Sequence, residues 1–201
     1  MTRRVPILAT LIVLAAVATM LALGFWQLQR RHEKEALIAR YRANEALPAI
    51  PFPTGATDAA LLFRQTQAFC AGVNGWRTEG AGAAGFRHIA RCGGPDGGFA
   101  VDVGAAPDPR FRPDWRGGPV RGWIVPERQN RSWLAPSASL RLMIVSAAPA
   151  PGLTAPKRPD PESLPNNHLA YAVQWFLFAI SALAIYALAL RQRWRRAGNP
   201  Q

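Results

Sequence analysis

Two long uncharged apolar runs, one near each end of the 201-residue chain, limit what it can fold into more than any other feature. No charged side chain lies between Arg4 and Arg30, and Val5 to Leu23 is almost purely aliphatic. Leu169 to Leu190 is equally free of charge and is interrupted only by Gln174, Ser181 and two tyrosines. At about 1.5 Å of helix per residue, each run is long enough to cross a hydrocarbon core of roughly 30 Å. The first run reads as an uncleaved anchor. The core of a cleaved signal peptide is shorter and is followed by a small-x-small site. Here Leu21-Ala22-Leu23 has the wrong pattern, and Ala16-Val17-Ala18 lies inside the run rather than after it.

Charge follows the same division. The formal charge is +12, a value that would ordinarily raise nucleic acid as a partner. However, Arg3, Arg4, Arg191, Arg193, Arg195 and Arg196 flank the apolar runs with no acid among them. The other 18 basic residues and all 12 acids lie between Arg30 and Asn167. Half of the excess therefore belongs to membrane flanks, so no nucleic-acid partner is expected, and the pattern is not that of a soluble cytosolic protein. The basic cluster after the second run places that end in the cytoplasm by the positive-inside bias, and two spans bring the other terminus to the same side. Arg vastly outnumbers Lys, Ala is abundant, and no amphipathic presequence precedes the first run. The expected location is a bacterial inner membrane, multi-pass, with a periplasmic middle.

The expected fold class is a membrane protein, with two transmembrane α-helices flanking a small β-rich (α+β) extracytoplasmic domain. Its segments are a cytoplasmic N-terminus (1–4), a transmembrane helix (5–28), a juxtamembrane helix (29–47), a β-rich periplasmic domain (48–146), a Pro-rich linker (147–167), a second transmembrane helix (168–190) and a basic cytoplasmic tail (191–201). The helix of the first span is expected to continue into the juxtamembrane segment, which is built from good helix formers and ends before Pro48, Pro51 and Pro53. Beyond it, Gly and Pro punctuate short apolar stretches. Expected strands are Gly85–Cys92, Phe99–Val103, Val120–Val125 and Leu140–Ser146, with a long loop over Gly104–Gly118.

Cys70 and Cys92 are the only cysteines, and their spacing fits no zinc, thioredoxin or c-type haem pattern. In an oxidising compartment they read as a disulfide, or otherwise as two buried thiols. His32 reads as solvated and His88 as a structural residue on a strand. No Ser/His/Asp set and no phosphate-binding loop is recognisable, which leaves no support for an enzyme. His168 differs, because an ionisable side chain at the mouth of a span is a functional candidate by default. On a helical wheel it shares a side with Tyr171, Ala172, Trp175, Phe178, Ala179, Ala182 and Tyr186. Leu169, Val173, Phe176, Leu177, Ile180 and Ala184 form the opposite side, suited to lipid. The histidine side suits a flat hydrophobic ligand or a packed helix. Alternatively, Tyr171 and Trp175 are interfacial anchors and His168 meets only headgroups.

The motif Leu164-Pro-Asn-Asn-His-Leu-Ala-Tyr-Ala-Val-Gln-Trp-Phe176 resembles the C-terminal signature of the Surfeit locus protein 1 family of cytochrome c oxidase assembly factors. Leu23-Gly-Phe-Trp-Gln-Leu-Gln-Arg30, followed by Lys34, is similar to that family's N-terminal signature. The centre departs from it: Val101-Asp-Val-Gly-Ala-Ala-Pro-Asp108 stands where the family often has a strand ending in Asn-Arg-Gly-Trp. The resemblance implies a non-enzymatic factor that binds haem a as cargo in the lipid bilayer and assists its insertion into subunit I of a haem-copper oxidase. Haem a synthase is a further partner it allows. The resemblance puts the haem-iron ligand at His168, and an imidazole suits iron. Tyr171 and Trp175 would line the pocket. Arg30, with Arg31, would meet the propionates or else snorkel to the interface. The competing expectation is a membrane scaffold for assembly intermediates with no ligand of its own.

Overall fold

The computed structural model describes residues 5–55, 57–93, 98–128 and 140–197. The chain forms two compact units, one from residues 1–37 and 165–201 and the other from residues 38–164.

The first unit contains most of α1 (Ile7–Ala46) and all of α2 (His168–Ala197). Both are long and apolar enough to cross a membrane. The helix expected over 29–47 continues directly from the first apolar run, and α1 is unbroken from Ile7 to Ala46. No Pro interrupts it, and Arg30–Glu33 and Arg31–Glu35 pairs at 2.6 and 2.7 Å sustain its charged stretch. The less exposed positions of α1 recur as Thr10, Val13, Val17, Met20, Gly24, Gln27, Arg31 and Lys34. Those of α2 include His168, Ala172, Trp175, Ala179, Ala182 and Tyr186. Alternating steps of three and four make each row a straight seam, the spacing that lets two helices pack along their length.

The contacts across the seam run antiparallel. Thr10 bonds to the Tyr186 hydroxyl, Phe176 lies over Gly24, and Gln27 meets His168. A Cβ on Gly24 would come within 2.5 Å of the Phe176 ring, so only glycine admits that ring here. Phe25 meets the same ring edge-on, with centroids 5.4 Å apart. This corrects the wheel, which had turned Phe176 to lipid. The packed stripe of α2 is rotated towards Phe176, leaving Tyr171 and Phe178 exposed. Alternation of size explains the shift: a ring on α2 fills the gap left by a glycine on α1.

The second unit is one mixed sheet of β1 (Ile50–Pro51), β2 (Gln65–Cys70), β3 (Val73–Gly80), β4 (Phe86–Cys92), β5 (Phe99–Ala106), β6 (Gly118–Pro126) and β7 (Leu142–Ser146). The order across it is β1-β2-β6-β7-β5-β4-β3. The β1–β2 and β5–β7 pairs are parallel and the rest antiparallel. β2 and β3 stand near opposite edges yet are joined by Ala71 and Gly72 alone, so the sheet must curl to bring them together. Gly72 O accepts the Gly93 N–H at 2.9 Å across that closure. Inside the curl, Cys70, Ala90, Val101, Val103, Val120 and Ile144 form the core. The C-terminal end of α1 belongs to this unit: Tyr41 stacks near Phe63, and the Asn44 amide donates to Ala60 O at 2.7 Å and Leu62 O at 2.8 Å.

Two expectations change here. The stretch 147–167 is not a free linker, since Ala150 and Leu153 are core residues and Thr154 pairs with Ala105 of β5. Gly104 makes that pairing possible. Its φ is +128°, and a Cβ there would lie 2.4 Å from Thr154 O. Strand β5 consequently runs to Ala106, into the segment read as loop, whereas the strand expected from Leu140 begins at Leu142.

Candidate functional site

His168 is the first residue of α2, placed after Pro165, Asn166 and Asn167. The first turn closes with the Tyr171 N–H donating to Asn167 O at 3.3 Å. The imidazole is half-buried at the end of the seam, and its Nδ1 lies 2.7 Å from Gln27 Oε1 on α1. Its Nε2 has no protein partner among the described residues. Two turns along, Trp175 is half-buried and meets Phe178 edge-to-face at 6.1 Å, while Tyr171 is 49% exposed. Ala172 and Ala179 are completely covered. The small residues of the histidine side therefore receive α1, and the surface open to a flat ligand is the flank bearing Tyr171, Trp175 and Phe178.

Arg30 stands apart from this group. Its guanidinium is exposed and bonded to Glu33, and no contact joins it to His168 among the described residues. Gln27 is the site residue that sequence reasoning missed. The signal was present, since glutamine is costly in an otherwise uncharged run unless it has a partner, but no periodicity of one helix names that partner.

Cys70 and Cys92 are bonded to each other, with Cα atoms 5.3 Å apart, and both are fully buried. The bond ties β2 to β4 beside the closure of the curl. Elsewhere in this unit two buried carboxylates are met by arginines. Glu127, 6% exposed, is met by Arg77 at 3.1 Å, Arg91 at 3.6 Å and Arg141 at 3.8 Å. Asp102 accepts the Gly104 N–H at 3.1 Å and faces Arg87 at 3.5 Å, yet burial holds its carboxyl above the usual range. A cavity of about 100 Å³ between Arg77, Arg91 and Glu127 is too small for a drug-sized ligand. His88 is 1% exposed with Nε2 unpaired, and burial, aided by Arg112, pushes its pKa down. His32 is exposed on α1. Among the described residues no three His, Cys, Asp or Glu side chains are grouped to hold a metal ion. A metal held at His168 would thus need most of its ligands from elsewhere.

The model of the SURF1 family matches residues 14–180, a range that takes in most of α1, the whole sheet and the first part of α2 with His168. No curated protein matches the chain significantly.

Proposed function

Because the chain belongs to the SURF1 family, associated with cytochrome c oxidase assembly, we propose that it binds haem a in the membrane through His168 and assists its transfer to subunit I of the oxidase. The observation that carries this reading is the half-buried imidazole at the end of the helix pair, with one nitrogen bonded to Gln27 and the other without a protein partner. The donor set fits haem better than a bare ion. One neutral nitrogen makes a poor metal site by itself, but haem brings nitrogen ligands of its own, and His168 would supply the one that the protein adds. Bound haem would supply the iron and a flat apolar macrocycle. This chain's part is to present the imidazole and to offer Tyr171, Trp175 and Phe178 as apolar contact.

One protein ligand on an open flank suits a carrier that must release its cargo. Arg30 reaches a propionate only by leaving Glu33, which makes it the weakest of the assigned residues. In this reading the two apolar helices span the bilayer, both termini are cytoplasmic and the sheet is periplasmic. Subunit I is the acceptor, and haem a synthase is a donor of suitable chemistry.

The scaffold reading is favoured by one observation, the burial of Ala172 and Ala179, small residues of the kind that let two helices pack closely. Cells carrying His168→Ala as their only copy separate the two. A carrier predicts oxidase whose subunits persist but whose haem a occupancy falls. Normal occupancy would favour the scaffold.

A further inference from the structure

We propose that Gln27 is a positioning residue that holds His168 in the tautomer whose Nε2 is unprotonated. The contact is made between helices far apart in sequence, with Gln27 Oε1 2.7 Å from His168 Nδ1. A carboxamide oxygen can only accept, so Nδ1 must carry the proton in this arrangement. The neutral ring then keeps its remaining lone pair on Nε2, which has no protein partner among the described residues. Were the amide reversed, its NH2 would donate to Nδ1. The proton would then sit on Nε2, and the open nitrogen could not bind iron. Both partners are half-buried on the seam, where Phe176 over Gly24 sets the approach of the two helices one turn away. The hydrogen bond therefore fixes the ring's rotation as well as its proton, as partners behind metal-bound histidines commonly do. Its value for iron binding rests on the haem reading of His168, whereas the tautomer does not.

The test uses the full chain in detergent, labelled with 15N-histidine and free of haem. The chain has three histidines, and the spectrum of His168→Ala identifies the signals of the third. The expected wild-type pattern is Nδ1–H at His168. Gln27→Glu keeps the acceptor and should keep that pattern, while Gln27→Leu should shift the ring towards Nε2–H. An Nε2–H ring in the wild type, or a tautomer indifferent to Gln27→Leu, would overturn the proposal. With haem added, Gln27→Leu should lose roughly 10- to 100-fold in affinity. Gln27→Glu should bind and lower the iron's reduction potential, and an unchanged potential would count against positioning. If the wild type shows Nδ1–H but binds no haem, the haem reading fails and the tautomer assignment stands.

Discussion

At His88 the sheet places an ionisable ring where water does not reach. The ring packs edge-on to Phe111, with centroids 6.0 Å apart, and sits where β4 bulges against β5. Burial and the Arg112 charge depress its pKa, so the folded protein keeps it neutral while the unfolded chain takes up a proton below about pH 6.5. Its contribution to stability is therefore complete above that pH and is lost as pH falls towards the lowered folded value. Unfolding of the detergent-solubilised chain between pH 7 and pH 5 should show this loss, and His88→Leu should flatten it. An unchanged acid limb in the variant would mean that other groups carry it. Residues of this kind were readable from the sequence, because a lone histidine alternating with apolar residues on a strand points inward. Gln27 was not readable, since its meaning depends on a partner 141 positions away.

Elements were legible where they carry their own period. The two apolar helices and the strands around Ile89, Val101, Ile124 and Ile144 announce themselves by run length or alternation. Strands β2 and β3 do not: Gln-Thr-Gln-Ala-Phe-Cys and Val-Asn-Gly-Trp-Arg-Thr-Glu-Gly are polar and bury little on one face. What makes them strands is pairing with β6 and β4, which no local pattern encodes. The disulfide acts at this scale. It closes a separation of 22 residues between β2 and β4, and removing it with Cys70→Ser plus Cys92→Ser should cost about 3 kcal/mol in denaturant unfolding. Two free thiols in unreduced, alkylated wild-type protein would contradict the bond. On the helix pair, Gly24→Leu inserts a side chain where the Phe176 ring lies and should destabilise the seam by about 1–3 kcal/mol. Gly24→Ala tests the same contact with less disturbance, and thermal unfolding followed by helical signal orders the three proteins.

For the whole molecule, the arrangement of charge and apolar length makes a topological claim. Alkaline phosphatase fused after Ala150 should be active and the same enzyme fused at Gln201 inactive, because the positive-inside bias favours the cytoplasmic side for the basic residues from Arg191 onward. The architecture of apolar helix, sheet and apolar helix was legible because hydrophobic length and charge asymmetry are whole-chain properties. The course of residues 147–154 through the core was not, because proline-rich sequence looks the same whether it spans a gap or packs against a sheet. The central claim remains the role of His168, and it is tested most directly by the absorption spectrum of detergent-purified protein co-expressed with the enzymes of haem a synthesis. The wild type should show Soret and α bands, and His168→Ala should lose or shift them while remaining folded and membrane-inserted, because a residue at the end of a span contributes little to insertion. Identical haem content and identical spectra in the two proteins would show that His168 is not the ligand.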